Sequence, residues 1–284
     1  MKWIMMRKYI LLIVLFFVGV NLAAAQARNK FGSKYVPPFG VFSLTAGIGV
    51  AHYFGDVNNK FDPKHLGLGP AISVGALYRI TEHFSARAEL RFYQVSGDMK
   101  YSRFPLNNLS FRTRNPDLNL GIQADLFSFN RHAKFNPYLF LGGGVTYLSS
   151  KAELDGKWYS LPPHTTEGVK YSRLPLVITG GIGISFQAYE RLSFGIEMNN
   201  NFVRSDFLDD VSKVFPNPDQ LPNDLARQLS DRSGEIGQGP MQPGWHRGSG
   251  SRNDIYSFFQ VRATYLIGNR MQALERKKTR CPKF

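Results

Sequence analysis

One stretch near the C-terminus constrains this chain more than any other. From Ile255 to Ile267 the sequence alternates with period two: Phe259, Val261, Ala263, Tyr265 and Ile267 share one face, and Tyr256, Phe258, Gln260, Arg262 and Thr264 share the other. A strand with a wholly apolar outer face and an arginine inside fits a transmembrane β-barrel better than a soluble sheet. Lipid satisfies no polar group, so the charge must point into a closed lumen.

Seven earlier segments repeat the pattern, at about Val41–Phe54, Leu68–Ile80, Phe84–Val95, Phe111–Phe127, Tyr138–Leu148, Leu174–Phe186 and Leu192–Val203. In the first, Phe42, Leu44, Ala46, Ile48 and Val50 face out. In the third, Phe84, Ala86, Ala88, Leu90 and Phe92 face out against Ser85, Arg87, Glu89, Arg91 and Tyr93 inside. In the fourth, Leu118, Leu120, Ile122, Ala124 and Leu126 face out against Asn119, Gln123 and Asp125. The links alternate short and long. Thr81–His83, Asn130–Asn136 and Tyr189–Arg191 are short, while Gly55–Gly67, Ser96–Ser110, Ser149–Arg173 and Arg204–Asn253 are long. Short periplasmic turns, long outer loops and an even strand count predict an all-β, eight-stranded antiparallel transmembrane barrel over residues 41–268, with both termini in the periplasm. A soluble barrel or sandwich also alternates, but rarely carries inward charges on several strands.

The N-terminus agrees with that compartment. Lys2, Arg7 and Lys8 precede an apolar run from Ile10 to Val20, and Ala23-Ala24-Ala25 supplies small residues for cleavage. This reads as a signal peptide over 1–25, followed by a periplasmic segment over 26–40. The single cysteine, Cys281, excludes an internal disulfide and lies far from the cleavage site, which argues against a lipoprotein. Mean hydropathy of −0.24 excludes a helical membrane protein. The 14% aromatic content and 27 glycines suit interfacial girdles and a crowded lumen. A formal charge of +14 raises nucleic acid as a partner, but the charges are scattered and no binding motif accompanies them. Outer-membrane lipid and lipopolysaccharide are the better match.

The inward charges Arg87, Glu89, Arg91, Asp125, Glu197 and Arg262 balance three to three. In so narrow a lumen they predict a salt-bridge plug, with a gated pore as the alternative. None of the six histidines shows metal-ligand spacing, and no nucleophile motif occurs; His52 near Asp56 is the one sequence-local candidate for lipid-modifying chemistry. No enzymatic activity, cofactor or metal is therefore expected. Gly142-Gly-Gly144 and Gly180-Gly181 lie inside strands, where they permit curvature or close packing rather than bind phosphate. In the last long loop Leu221, Leu225 and Leu229 recur at i, i+4 after Asn and Asp residues, which predicts a short amphipathic helix on the mouth. The Gly-, Pro- and Arg-rich stretch 234–250 reads as mobile.

Several loop motifs carry a resemblance: Tyr53-Phe-Gly-Asp56, Asn108-Leu-Ser-Phe-Arg112, Phe135-Asn-Pro-Tyr138, Gly156-Lys-Trp-Tyr159 with Thr166-Glu-Gly168, Ser205-Asp-Phe-Leu-Asp-Asp-Val-Ser212, and Arg247-Gly248 before Asn253-Asp254. Together they resemble the Bacteroidetes outer-membrane barrel family that includes PorG of the type IX secretion and gliding apparatus, over about Phe42 to Gly268. The resemblance implies a docking role toward periplasmic secretion-ring proteins. A stand-alone structural or ligand-binding surface barrel is the alternative. At the outer mouth, Arg112, Glu167, Asp206, Asp209 and Asp210, with Arg114 and Arg173 nearby, are expected to pair and hold the loops down. Calcium at the three aspartates is the sharper alternative, although Leu208 breaks the alternating ligand pattern. The basic tail over 269–284, with Arg276, Lys277, Lys278, Arg280 and the terminal Phe284, reads as a periplasmic docking element, an assembly signal or a solvated end.

Overall fold

The computed structural model describes residues 39–57, 67–102, 104–131, 133–189, 191–248, 250 and 253–268. The expected signal peptide, nearly all of the segment 26–40, and the tail residues Arg276, Lys277, Lys278, Arg280, Cys281 and Phe284 lie outside the described residues. The strands are β1 (Phe42–Phe54), β2 (Gly69–Arg79), β3 (Phe84–Asp98), β4 (Ser110–Asp125), β5 (Phe135–Thr146), β6 (Lys151–Leu154), β7 (Lys157–Ser160), β8 (Leu176–Gln187), β9 (Leu192–Val203) and β10 (Ile255–Gly268). All but β6 and β7 pair antiparallel with the next long strand in the chain. The β1–β10 pairing, from Phe42↔Gly268 to Phe54↔Ile255, closes an eight-stranded barrel.

The outward face matches a lipid solvent. Leu120, Leu141, Ile182 and Phe259 are more than half exposed although apolar, and their strand neighbours Asn119, Phe140 and Gln260 are buried. At the short-turn rim Phe135, Phe186 and Phe194 stand side by side, with ring centroids 6.3 and 6.0 Å apart, as an interfacial aromatic girdle does. Among the described residues no helix is long and apolar enough to cross a membrane.

Leu126 does not face lipid as expected. β4 ends at Asp125, because the Asn136 side chain accepts from Phe127 N–H at 2.9 Å and donates to Phe127 C=O at 3.1 Å, turning the chain. Leu126 then tucks in with 9% exposure. The glycine expectation holds for one face only. A Cβ on Gly144 would lie 1.9 Å from Leu118 O, whereas one on Gly180 would meet nothing within 4 Å. Inward glycines let strands approach; outward Gly180 faces open space, and a Cβ on outward Gly143 would make only an ordinary contact, 3.5 Å from Val177 O.

The expected helix is α1 (Asp224–Ser230), capped by the Asn223 side chain accepting from Ala226 N–H at 2.7 Å. It seats Leu229 on a small core with Ala152, Leu154 and Leu161 from the β6–β7 hairpin. Within the stretch 234–250, expected to be mobile, residues 244–248 are anchored by hydrogen bonds. Val214 bridges His246, and the Asn107 amide donates to the carbonyls of His246 and Arg247 at 3.1 and 3.0 Å.

Candidate functional site

Two polar assemblies occupy the barrel axis. The first fills the lumen. Arg87 grips Glu197 with both NH groups at 2.7 and 2.8 Å and reaches Glu89 at 2.7 Å. Arg262, from the strand across the closure, contacts the same two carboxylates at 2.6 and 3.3 Å and donates to Thr45 at 3.0 Å. Tyr138 and Asn199 donate to Glu197 at 2.8 and 3.0 Å. Two guanidiniums therefore face two carboxylates with their oxygens saturated, the condition for keeping a buried charge cluster tolerable. The Arg87 guanidinium also lies 4.2 Å above the Phe140 ring.

Toward the long loops, Arg91 donates to Asp117 at 3.0 and 2.6 Å, and Tyr256 donates to the other Asp117 oxygen. Tyr256 stacks on Tyr93 at 4.4 Å, and Phe258 lies edge-on to both. Side chains thus cross the whole section, and the lumen is plugged. Toward the short turns it opens into a vestibule of about 160 Å³, lined among others by Ser43, Ser85, Asp125 and Arg191.

The second assembly seals the mouth with acids. Asp209 is fully buried. One oxygen accepts from Tyr53 O–H and from Val57 N–H at 3.2 Å, and the other accepts from Val211 N–H at 2.9 Å. The Tyr53 hydroxyl also lies 2.9 Å from Asp254 Oδ1, while Asp254 Oδ2 accepts from Leu208 N–H at 2.8 Å. One phenol proton cannot serve two carboxylates. A proton held between the two aspartates resolves this: with the Tyr53 proton on Asp209, which also accepts from two backbone N–H groups, Asp254 is the one placed to carry it and to donate to the Tyr53 oxygen. Burial, with the neighbouring acids, pushes both aspartates well above the usual carboxylate range. Asp206, less enclosed, is pushed up to about 7, chiefly by burial and then by Asp56 and Glu167, with the Ser212 hydroxyl opposing. Asp210, held at φ 64, accepts from Thr166 and from Tyr171 at 2.6 Å. Arg247 is 2% exposed and joins this ring from the far end of the last loop. It donates to Glu167 at 3.0 Å, Asp210 C=O at 2.6 Å and Ser230 C=O at 3.2 Å. Glu167 also accepts from Ser212 N–H at 2.7 Å.

Of the predicted lumen residues, Arg87, Glu89, Glu197 and Arg262 meet directly. Arg91 turns to Asp117 instead, and Asp125 pairs with Arg79 at the short-turn rim. Both partners share the inward parity of their strands, so the alternation could have found them. At the mouth Glu167, Asp206, Asp209 and Asp210 lie in one assembly, but the expected bases do not join it. Arg112 points out over the Trp158 ring at 4.3 Å, Arg114 points out to Gln94 at 2.8 Å, and Arg173 lies over Tyr147 at 4.5 Å. The strand register puts Arg112 and Arg114 on the lipid-facing parity of β4. The acids are met instead by hydroxyls, backbone N–H groups and Arg247, with Asp206 Oδ1 left buried and without a hydrogen-bond partner. Tyr53 and Asp254 carried no sequence signal for this role, because it arises only when the two ends of the barrel meet. The His52 ring lies edge-on to Phe54 at 4.3 Å. Among the described residues no group of three or more His, Cys, Asp or Glu side chains is arranged to hold a metal.

No family model and no curated protein matches the chain. Solved structures resemble it at low identity. Neisserial surface protein A is 10% identical over 79% of this chain and 96% of that one, with a TM-score of 0.42. Ail of Yersinia pestis is 10% identical over 81% and 99%, at 0.41. OprG from Pseudomonas aeruginosa is 12% identical over 82% and 95%, at 0.37. At these values none of them bears on what this chain does. Its class follows from its own geometry: a closed eight-stranded barrel with an apolar belt and a polar lumen is an outer-membrane β-barrel.

Proposed function

We propose that this barrel is a non-enzymatic anchor or docking component of the type IX secretion and gliding machinery, with its short turns and both termini in the periplasm. The observation that carries a docking role is the double closure. The Arg87–Glu89–Glu197–Arg262 cluster and the Tyr93–Tyr256 stack block the lumen, and the acid assembly ties the loops over its mouth. A barrel filled in this way would act through its two rims. The loop motifs from Tyr53-Phe-Gly-Asp56 to Arg247-Gly248 supply the link to secretion through the family they resemble. β10 ends at the short-turn rim, so the basic tail 269–284 continues from that side. Its periplasmic secretion-ring partner would then meet Arg276, Lys277, Lys278, Arg280 and Phe284.

The test is affinity purification of the tagged full-length protein from native outer membranes. Periplasmic proteins should accompany it, and they should be lost on deleting residues 276–284 and at high salt. Recovery of the barrel alone would overturn the docking role and favour a stand-alone surface barrel. The exposed Trp245 and Ile236 on the last loop support that second reading as an external contact surface.

A further inference from the structure

The arginines that do not join the mouth assembly have a position that calls for a ligand. Ile72, Phe92 and Pro116 lie in register across β2, β3 and β4, all facing lipid. Proline rings at Pro70 and Pro116 stand lower than Phe92, and the outer wall there is hollowed into an apolar groove of about 380 Å³. Its upper edge is Gln94 and Arg114, one outward step along the strands, roughly 7 Å toward the long loops. No carboxylate lines this groove. Asp98 and Glu153 sit around the neighbouring hollow, with Arg112 and Trp158.

Arg114 is held in place by its Nε–H donating to the Gln94 amide at 2.8 Å. That contact leaves its two NH₂ groups without a protein acceptor among the described residues, and the side chain is exposed at the top of the apolar belt. A membrane barrel has lipid as its neighbour at this height. The apolar trough matches an acyl chain, and a fixed guanidinium above it matches a phosphate, which accepts two parallel N–H bonds.

We propose that the groove across β2, β3 and β4 holds one phosphorylated lipid, its chain along Ile72, Phe92 and Pro116 and its phosphate on Arg114. The site depends on the barrel class alone, so it stands or falls separately from the docking role. The experiment is native mass spectrometry of the full-length protein released from nanodiscs of lipid A in phosphatidylcholine, of phosphatidylglycerol in phosphatidylcholine, or of phosphatidylcholine alone. Wild type should retain one anionic lipid, and Arg114→Glu should reduce the retained fraction about tenfold. Arg204→Glu, exposed beyond β9 on the opposite wall, should retain it as wild type does. Ile72→Trp fills the trough without changing charge and should also release the lipid, while heat-modifiable migration on gels confirms that each variant is folded. Retention of lipid A but not phosphatidylglycerol assigns the phosphate to a saccharolipid; retention of both assigns it to any anionic phospholipid. Equal retention by Arg114→Glu, or equal retention of phosphatidylcholine by wild type, overturns the site.

Discussion

The lumen and the mouth bury the same kinds of acid and neutralise them in opposite ways. In the lumen each carboxylate meets a guanidinium: Glu89 and Glu197 face Arg87 and Arg262, and Asp117 faces Arg91. At the mouth Asp206, Asp209, Asp210 and Asp254 have Arg247 as the one buried cation nearby among the described residues, and hydroxyls, backbone N–H groups and a proton do the rest. A cluster closed by fixed charges holds its strands together over a wide pH range. One closed by a proton holds its loops only while that proton stays. The barrel body is thus held by fixed charges, whereas its cover is expected to loosen as pH rises.

The largest effect tests the lumen half of this contrast. Glu197→Leu removes the carboxylate shared by Arg87, Arg262, Tyr138 and Asn199 and leaves two buried guanidiniums with Glu89 as their one carboxylate, so the cluster carries an uncompensated buried charge and the change should cost about 3–5 kcal/mol. Ala88→Leu, on the lipid face of β3 between Ala76 and Leu120, should be nearly neutral. Urea unfolding in liposomes, read by heat-modifiable migration, measures both. A loss of similar size for the two would mean that the facing assignment fails.

Next in size is the keystone of the mouth. Arg247→Met leaves Asp210 C=O and Ser230 C=O without this donor and Glu167 with its backbone N–H donors but no cation, at about 1–3 kcal/mol for each buried group left unpaired. The barrel should stay inserted while the loop between Arg204 and Asn253 becomes open to added protease on whole cells. Unaltered protection would show that the loops hold without this arginine.

How much of this was legible follows from range. Alternation is local, so the eight strands, their facing and four lumen charges could be read directly, and Asp117 and Arg79 lay within reach of the same parity. The β6–β7 hairpin also had a local signature. Asp155-Gly156, at φ 50 and 73, is the left-handed pair that tight hairpins use. The mouth was legible only as a list of acids. Its bases were misassigned because Arg112 and Arg114 are near the acids in the loop plan but on the lipid-facing parity of β4. What selects Arg247 over them is the return of a loop of roughly fifty residues, which no short-range pattern encodes.

A smaller effect separates the two aspartates that share Tyr53. Both oxygens of Asp209 accept hydrogen bonds, so Asp209→Asn turns an amide NH₂ toward a donor and should loosen the mouth by about 1–3 kcal/mol. Proteolysis of the 204–253 loop at pH 6 should rise several-fold, with strand content by circular dichroism unchanged. If Asp209→Asn protects as well as wild type, the proton resides on Asp209 and the assignment must be reversed.

The smallest expected change comes from Asp254→Asn, because that amide imitates the protonated acid: its oxygen still accepts from Leu208 N–H and its NH₂ donates to the Tyr53 oxygen. At pH 5 the variant should match wild type to within about 1 kcal/mol. The difference appears with pH. The four aspartates at the mouth, Asp206, Asp209, Asp210 and Asp254, have folded pKa values raised above their ordinary 3.8, Asp206 to about 7, so their contribution is full below 3.8 and is lost as pH rises through the folded values. Wild-type loops should therefore become steadily more cleavable from pH 5 to pH 9. Asp254→Asn removes the buried proton from that linkage and should flatten the upper part of the curve, leaving the rise through about 7 that belongs to Asp206. A wild-type curve without slope would mean that the mouth is held by fixed charges after all, as the lumen is; a variant as steep as wild type above pH 7 would place the responding proton elsewhere in the cover.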